Sequence, residues 1–306
     1  MIDWSLYGCE SIKNEKTIIM KILRLFFSIT VLSLLMVACE NSTSQLNTDD
    51  IDLADDDIVT EAIFDDVFNS ADNATEIVES FMLKNTGVKG ENVIVVADSC
   101  PTVTVDFISD NERIVTIDFG EGCVGLWDQT RAGKIIINVI GHRREVGSTR
   151  TVSFDEYYFN GIKVEGTKVT ENMGENDNGN VVFSSSLSDG MLTFPNDTSV
   201  TRQYYREREW VAGYDTRVIW DDECLITGYA SGTTYRGITY ENTITSALYW
   251  KRVCRFFVSG VIQINREGVE PFEIDYGDGE CDALAVIRRG DDEKEIILRF
   301  RHRKIR

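Results

Sequence analysis

The sequence predicts an all-β fold: an antiparallel meander forming a curved sheet, a sandwich or a partly open barrel, preceded by an N-terminal amphipathic helix. Three observations carry that prediction. From Val93 onward apolar and polar residues alternate. In GITYENTITSALYW, Ile238, Tyr240, Ile244, Leu248 and Trp250 share one face, while Thr239, Glu241, Thr243 and Thr245 share the other. Turn chemistry separates these runs, at Asn160-Gly161, Asp189-Gly190, Pro195-Asn196-Asp197 and the polar GENDNGN. Proline numbers only 3, so few strands are interrupted. The spacing accommodates roughly ten to fourteen strands joined mostly by hairpins.

Composition is that of a globular chain, with 306 residues, 42% hydrophobic and 10% aromatic. Lys and Arg total 31 against 51 Asp and Glu, a net charge of -20, which argues against nucleic acid as a partner because phosphates would be repelled. The acidic excess is concentrated between Glu40 and Asp98, where only Lys84 and Lys89 are basic. A short basic tail, RFRHRKIR, closes the sequence and reads as a solvated end.

Taken in chain order, residues 1–38 read as an early start followed by a signal. From Met20, MKILRLFFSITVLSLLMVAC has a cationic n-region at Lys21 and Arg24, an apolar stretch from Phe26 to Leu35, and a cleavage site ending at Cys39. This resembles a bacterial lipoprotein signal, and the resemblance implies a mature chain beginning at Cys39, acylated with palmitate and held in the outer membrane. The face exposed, periplasmic or cell-surface, is left open. The apolar stretch is short for a membrane-spanning helix. Residues 39–57 are polar and acidic and read as a flexible tether. Over 58–87, Val59, Ile63, Phe64, Val67, Phe68, Ala71, Ile77, Val78, Phe81 and Met82 form an apolar stripe at helical spacing, stopped by Gly87. The expected role of that stripe is docking on the β domain that follows, residues 93–306.

Within the β domain, IDFGEGC at Ile117 to Cys123 returns as IDYGDGEC at Ile274 to Cys281, and each copy has an upstream cysteine, Cys100 and Cys254. Counting outward from a turn near Glu267-Gly268 sets Cys254 opposite Cys281. From a turn at Asp110-Asn111, Cys100 falls opposite Glu121, with a glycine bulge to absorb the offset to Cys123. Four cysteines allow three connectivities, about which spacing alone is silent; the duplicated pattern favours Cys100 with Cys123 and Cys254 with Cys281. Zinc is the weaker reading, since neither pair is C-x-x-C and His142 and His302 sit in unrelated contexts. Cys224 has no counterpart and reads as a free thiol. The literal G-x-G-x-x-G of FGEGCVG is no dinucleotide site. LWDQTRAGK and another strand follow it rather than a helix, and Glu121 would oppose a phosphate. Weaker echoes, KIIINVIGHRRE with ALAVIRRGDDEK and NGIKVEGT with RGITYENT, suggest internal duplication.

The combination of CPTVTVDF, VTIDFGEGCVG with TRAGKI, FDEYYFNGIKVEGT, REWVAG, LITGYASGT, CRFFVSG and IDYGDGECD resembles a family of lipoproteins of Bacteroidota that carries no assigned activity. The resemblance implies envelope localisation and this architecture, and it offers no catalytic residues.

The residues themselves argue against catalysis by a triad, since the chain has only His142 and His302 and lacks a G-x-S-x-G elbow. Asp221-Asp222-Glu223 and Asp275, Asp278 and Asp282 match no calcium-loop spacing, so neither metal nor other cofactor is expected. One strand stands out. RQYYREREW sets Arg202, Tyr204, Arg206, Arg208 and Trp210 on one face, a cationic and aromatic surface suited to an acidic glycan or peptide. Cross-strand ion pairing with an acidic neighbour is the competing reading. The expected function is that of a lipid-anchored extracytoplasmic β protein, with a non-enzymatic binding or structural role. Its partners are the membrane, through the lipid, and an envelope protein or glycan. A glycan-binding or glycan-degrading accessory protein and an envelope carrier of a hydrophobic ligand are the alternatives.

Overall fold

The computed structural model describes residues 45–84, 93–96, 100–125, 128–216, 218–254 and 256–298. The signal, Cys39, Gly87 and the basic tail lie outside them.

The first element is a single helix, α1 (Thr48–Lys84), 37 residues long. It begins ten residues before the expected boundary at 58, inside the stretch read as a flexible tether. Two physical causes explain the correction. Asn47 and Asp50 form a reciprocal cap. The Asn47 side chain accepts from the Asp50 amide at 3.0 Å, and the Asp50 carboxylate accepts from the Asn47 amide at 2.9 Å. The carboxylates that follow are also not left to water, because arginines of the sheet reach them, as described below.

The remainder is one antiparallel sheet. Its strands are β1 (Val93–Val96), β2 (Thr102–Phe107), β3 (Glu112–Asp118), β4 (Cys123–Val124), β5 (Thr130–Ile140), β6 (Thr149–Phe159), β7 (Ile162–Glu175) and β8 (Val181–Thr193). They continue as β9 (Ser199–Ala212), β10 (Glu223–Thr233), β11 (Thr239–Lys251), β12 (Phe257–Arg266), β13 (Val269–Asp278), β14 (Leu284–Arg289) and β15 (Asp292–Ile297). Spatial order follows chain order from β1 to β15, except that the two-residue β4 pairs β5 from the side. The sheet is a meander that is not closed into a barrel. Alternation sets one face in and one face out: in β3 Arg113, Val115 and Ile117 are buried, and in β12 Val258, Gly260, Ile262 and Ile264, while the residues between them are more open. Bulges interrupt the ladders where curvature is needed. At Gly133 a Cβ would stand 1.9 Å from the Glu156 carbonyl oxygen, and at Gly228 it would stand 2.2 Å from that of Tyr205, so only glycine fits either approach.

The inner face of the sheet wraps α1. Ile63, Phe64, Val67, Phe68, Ala71 and Val78 pack with Val115, Ile117, Ile135, Ile137, Leu187 and Leu192 of the first half. Leu53 and Ala54 pack with Ile226, Leu248, Ile262, Phe272, Ile274 and Ile287 of the second. No helix residue from Asp50 to Phe68 is exposed. Each large apolar side chain so buried contributes about 1.5–3 kcal/mol. No helix among the described residues is long and apolar enough to cross a membrane.

The two rims of the sheet differ. One, called here the loop rim, carries the connections β5–β6, β7–β8, β9–β10 and β11–β12; the other, the hairpin rim, carries β6–β7, β10–β11, β12–β13 and β14–β15. Helix α1 starts at the hairpin rim near β12 and β14 and ends at the loop rim beside β3, where Glu79 meets Arg113.

Candidate functional site

The inner face is largely apolar but carries a series of arginines, most of them in register with the buried apolar residues of their strands. The partners of most of them are on α1. Asp50, fully buried, takes both terminal nitrogens of Arg289 at 2.7 and 2.9 Å and also pairs with Arg266. Arg289, 2% exposed, further donates to the Gln45 carbonyl at 3.1 Å, which ties the start of the helix to the end of β14. Further along, Arg202 pairs with Asp57 and, at 2.5 Å, with Glu61, and donates to the Tyr240 hydroxyl at 3.1 Å. Arg206 engages both oxygens of Glu61, one at 2.8 Å. Asn242 completes the shell of Asp57 at 3.1 and 3.2 Å. Towards the C-terminus, Arg131 meets Asp66 at 2.5 Å, Arg150 meets Asp72 at 3.0 Å and Arg113 meets Glu79 at 2.7 Å. At the hairpin rim Arg236 takes Asp49 and Asp52.

Electrostatics follow from this geometry. Burial alone would push the Glu61 carboxyl up, but Arg206 and Arg202 outweigh it and hold the group at about 2. Burial likewise works against the Arg202 cation, and Asp57 and Glu61 more than offset it, so Arg202 is raised well above its ordinary value. Asp65, one turn on, has no such clamp. Burial and then the charge of Glu61 push it up to about 6, against the pull of Arg206, Arg208 and Lys168. Asp72 lies low, because Arg150, Lys168, Arg143 and Arg208 together overcome its burial. Apart from Asp65, these charges stay buried because each meets an opposite charge, although the Nε atoms of Arg113, Arg131, Arg202, Arg206 and Arg266 lack a hydrogen-bond partner among the described residues.

This arrangement corrects the reading of RQYYREREW. The alternation is present, but Arg202, Tyr204 and Arg206 are 2%, 9% and 7% exposed and face α1, so they offer no open surface to a glycan. Their partners are helix carboxylates rather than an acidic neighbouring strand. Only Arg208 and Trp210, nearer the loop rim, stay half-buried. The helix also occupies the place a hydrophobic cargo would need.

The cysteines are brought together as pairs. Cys100 and Cys123 have Cα atoms 5.7 Å apart, and Cys254 and Cys281 5.2 Å apart, both within disulfide range. Cys224 is free and buried, its thiol pushed up to about 11 by burial. The glycines of FGEGC form a turn, closed by the Gly122 amide donating to the Phe119 carbonyl at 3.2 Å, and the segment is tied to β5 by the Phe119 amide donating to the Gly133 carbonyl and the Gly133 amide to the Gly120 carbonyl, both at 2.9 Å. Asp275 is occupied by Arg288 at 3.0 Å. Cys39 lies outside the described residues.

Sequence reasoning missed Arg113, Arg131, Arg150, Arg266 and Arg289, and the acids they hold. A signal was available. Arg113, Arg150, Arg266 and Arg289 fall in the apolar phase of their strands, and Asp50, Asp57 and Glu61 fall in the apolar phase of α1 alongside Leu53, Ala54 and Phe64.

The chain matches no protein-family model, no curated protein and no solved structure.

Proposed function

We propose that this chain is a lipid-anchored protein of the bacterial envelope, attached to the outer membrane through Cys39, with a non-enzymatic binding or structural role. The observation that supports the role is the covering of the inner face, where α1 packs against the curved sheet through paired charges as well as apolar contacts. Surface outside that face is then left for partners. Cysteine usage supports the compartment, since two cross-linked hairpins suit an oxidising environment outside the cytoplasm. The test is metabolic labelling with palmitate followed by membrane fractionation. The expected result is label on the native protein in the outer-membrane fraction, and its loss together with release from the membrane in Cys39→Ser. An unlabelled chain that still starts at Met1 in the membrane fraction would overturn the reading.

A further inference from the structure

Exposed apolar side chains gather at the loop rim. Val146 in the β5–β6 connection, Met173 near the end of β7, Val218 and Trp220 in the β9–β10 connection and Val253 in the β11–β12 connection are between 51% and 72% exposed. At the hairpin rim, among the described residues, only Val124 and Tyr235 are comparable. The five loop-rim side chains lie outside both core clusters, so the interior of the fold does not account for them.

Hydrogen bonds hold these connections to one another. The Gly147 amide donates to the Asn172 carbonyl at 2.8 Å, Arg144 donates to the Tyr214 carbonyl at 3.4 Å, and the Arg252 amide donates to the Asp222 carbonyl at 3.0 Å. Val146 lies over Gly174, where an added Cβ would stand 3.2 Å from one of its methyl groups. In the β9–β10 connection the Val218 amide donates to the Thr216 hydroxyl at 3.2 Å, and that hydroxyl donates to Asp221 at 2.9 Å. The apolar tips are thus held in place before any partner arrives, which lowers the entropy lost on binding.

Charge selects the partner. The four connections, 141–148, 176–180, 213–222 and 252–256, hold five arginines and five acids, whereas the chain as a whole carries -20. Two copies of so acidic a protein repel each other across most faces, and the balanced rim is where they approach most easily. A two-fold contact sets a surface against itself, so charges of both signs must be present on it. Arg144 and Asp215, both exposed and 3.8 Å apart, supply both signs in neighbouring connections. An anionic lipid surface or an acidic protein would call for an excess of cations instead. The far end of the molecule is where Arg289 holds Gln45 and Asp292 holds Leu46, so an anchor at Cys39 and a contact at the loop rim do not compete.

We propose that the loop rim is the contact surface between two copies of this chain, an isologous pair in which Val146, Val218, Trp220 and Val253 supply the apolar contact and the balanced charges border it. Sedimentation equilibrium of the purified full-length chain in mild detergent, over a range of concentrations, tests this. A reversible monomer–dimer equilibrium is expected. Trp220→Glu and Val253→Glu should each weaken it by about tenfold or more, since each sets a charge against the partner's apolar surface. Tyr235→Glu, at the hairpin rim, should leave it unchanged. Near-UV circular dichroism establishes that the variants are folded, and Val146→Glu serves should either rim variant fail to fold. A monomer at every concentration would overturn the interface, and so would association that the folded rim variants retain, as it would if the N-terminal apolar segment drove it. Flotation of a monomer with phosphatidylglycerol–phosphatidylcholine vesicles, lost in the same variants, would assign the rim to a lipid surface instead. Cys39→Ser should dimerise like the wild type, so this result and palmitate labelling stand or fall separately.

Discussion

Glu61 stands between two guanidinium groups that have no other carboxylate as close to both. Glu61→Ala would leave Arg206 without its only ion-pair partner among the described residues and Arg202 with Asp57 alone. Breaking a buried pair this way costs about 3–5 kcal/mol, and urea denaturation should register it as a lower midpoint. The pH dependence has a definite sign. The folded-state value of Glu61, about 2, is below its ordinary 4.5, so its contribution is in full effect above 4.5 and is lost as pH falls towards 2. Asp65 has the opposite sign. Its value is raised from 3.8 to about 6, so ionisation there opposes folding, and the penalty grows as pH rises through that interval. Asp65→Asn should therefore raise the thermal midpoint at neutral pH by about 2–4 °C, with the gain shrinking as pH falls to about 4. A gain that persisted unchanged in acid would show that charge is not its cause.

At the scale of elements, the two cross-linked ribbons sit towards opposite ends of the strand order, one around β2 to β5 and the other around β12 to β14. Each staple closes a loop, of 23 and 27 residues respectively, and loses its effect when cut. Replacing Cys254 and Cys281 by Ser should cost about 2–5 kcal/mol, measured by denaturation beside the oxidised protein. Cys224 should resist iodoacetamide in the native state and react only on unfolding, as mass spectrometry would record; it is fully buried and its thiol is raised to about 11. These ribbons were legible in the sequence because hairpin register and cysteine spacing are local and duplicated. Strand alternation was legible for the same reason. The first ten residues of α1 were not, because an acidic run reads as solvated until its partners are known, and those partners lie far along the chain: Asp50 meets Arg289 across a separation of 239 residues. The groove arginines were hidden likewise. A single arginine in the apolar phase of a strand looks like a tolerated exception, and only the coincidence of several such exceptions around one acidic helix reveals a paired surface. Arg208 and Trp210 were visible as an unusual face, yet the division of that face, half sealed against α1 and half open at the rim, depends on where the helix leaves the sheet.

For the molecule as a whole, the consequence is that α1 belongs to the core rather than to a linker. Its apolar residues are shared between two clusters, one with the first half of the sheet and one with the second, so neither half of the sheet has a complete interior without it. Its start is fixed by residues of β12 and β14 and its end by a residue of β3, and docking must wait until both ends of the meander exist. Local opening of a single hairpin would then leave the middle of the helix still clamped by Arg202 and Arg206. The helix amides between Asp50 and Phe68, where no residue is exposed, should therefore exchange with solvent only through global unfolding. Native-state hydrogen exchange should find their protection equal to that of central β5 amides such as Ile135 and Ile137, whose side chains are fully buried. Both sets should also fall together as denaturant is added. Exchange in the helix that is faster by orders of magnitude, with β5 still protected, would mean that α1 detaches as a unit and that the sheet stands without it.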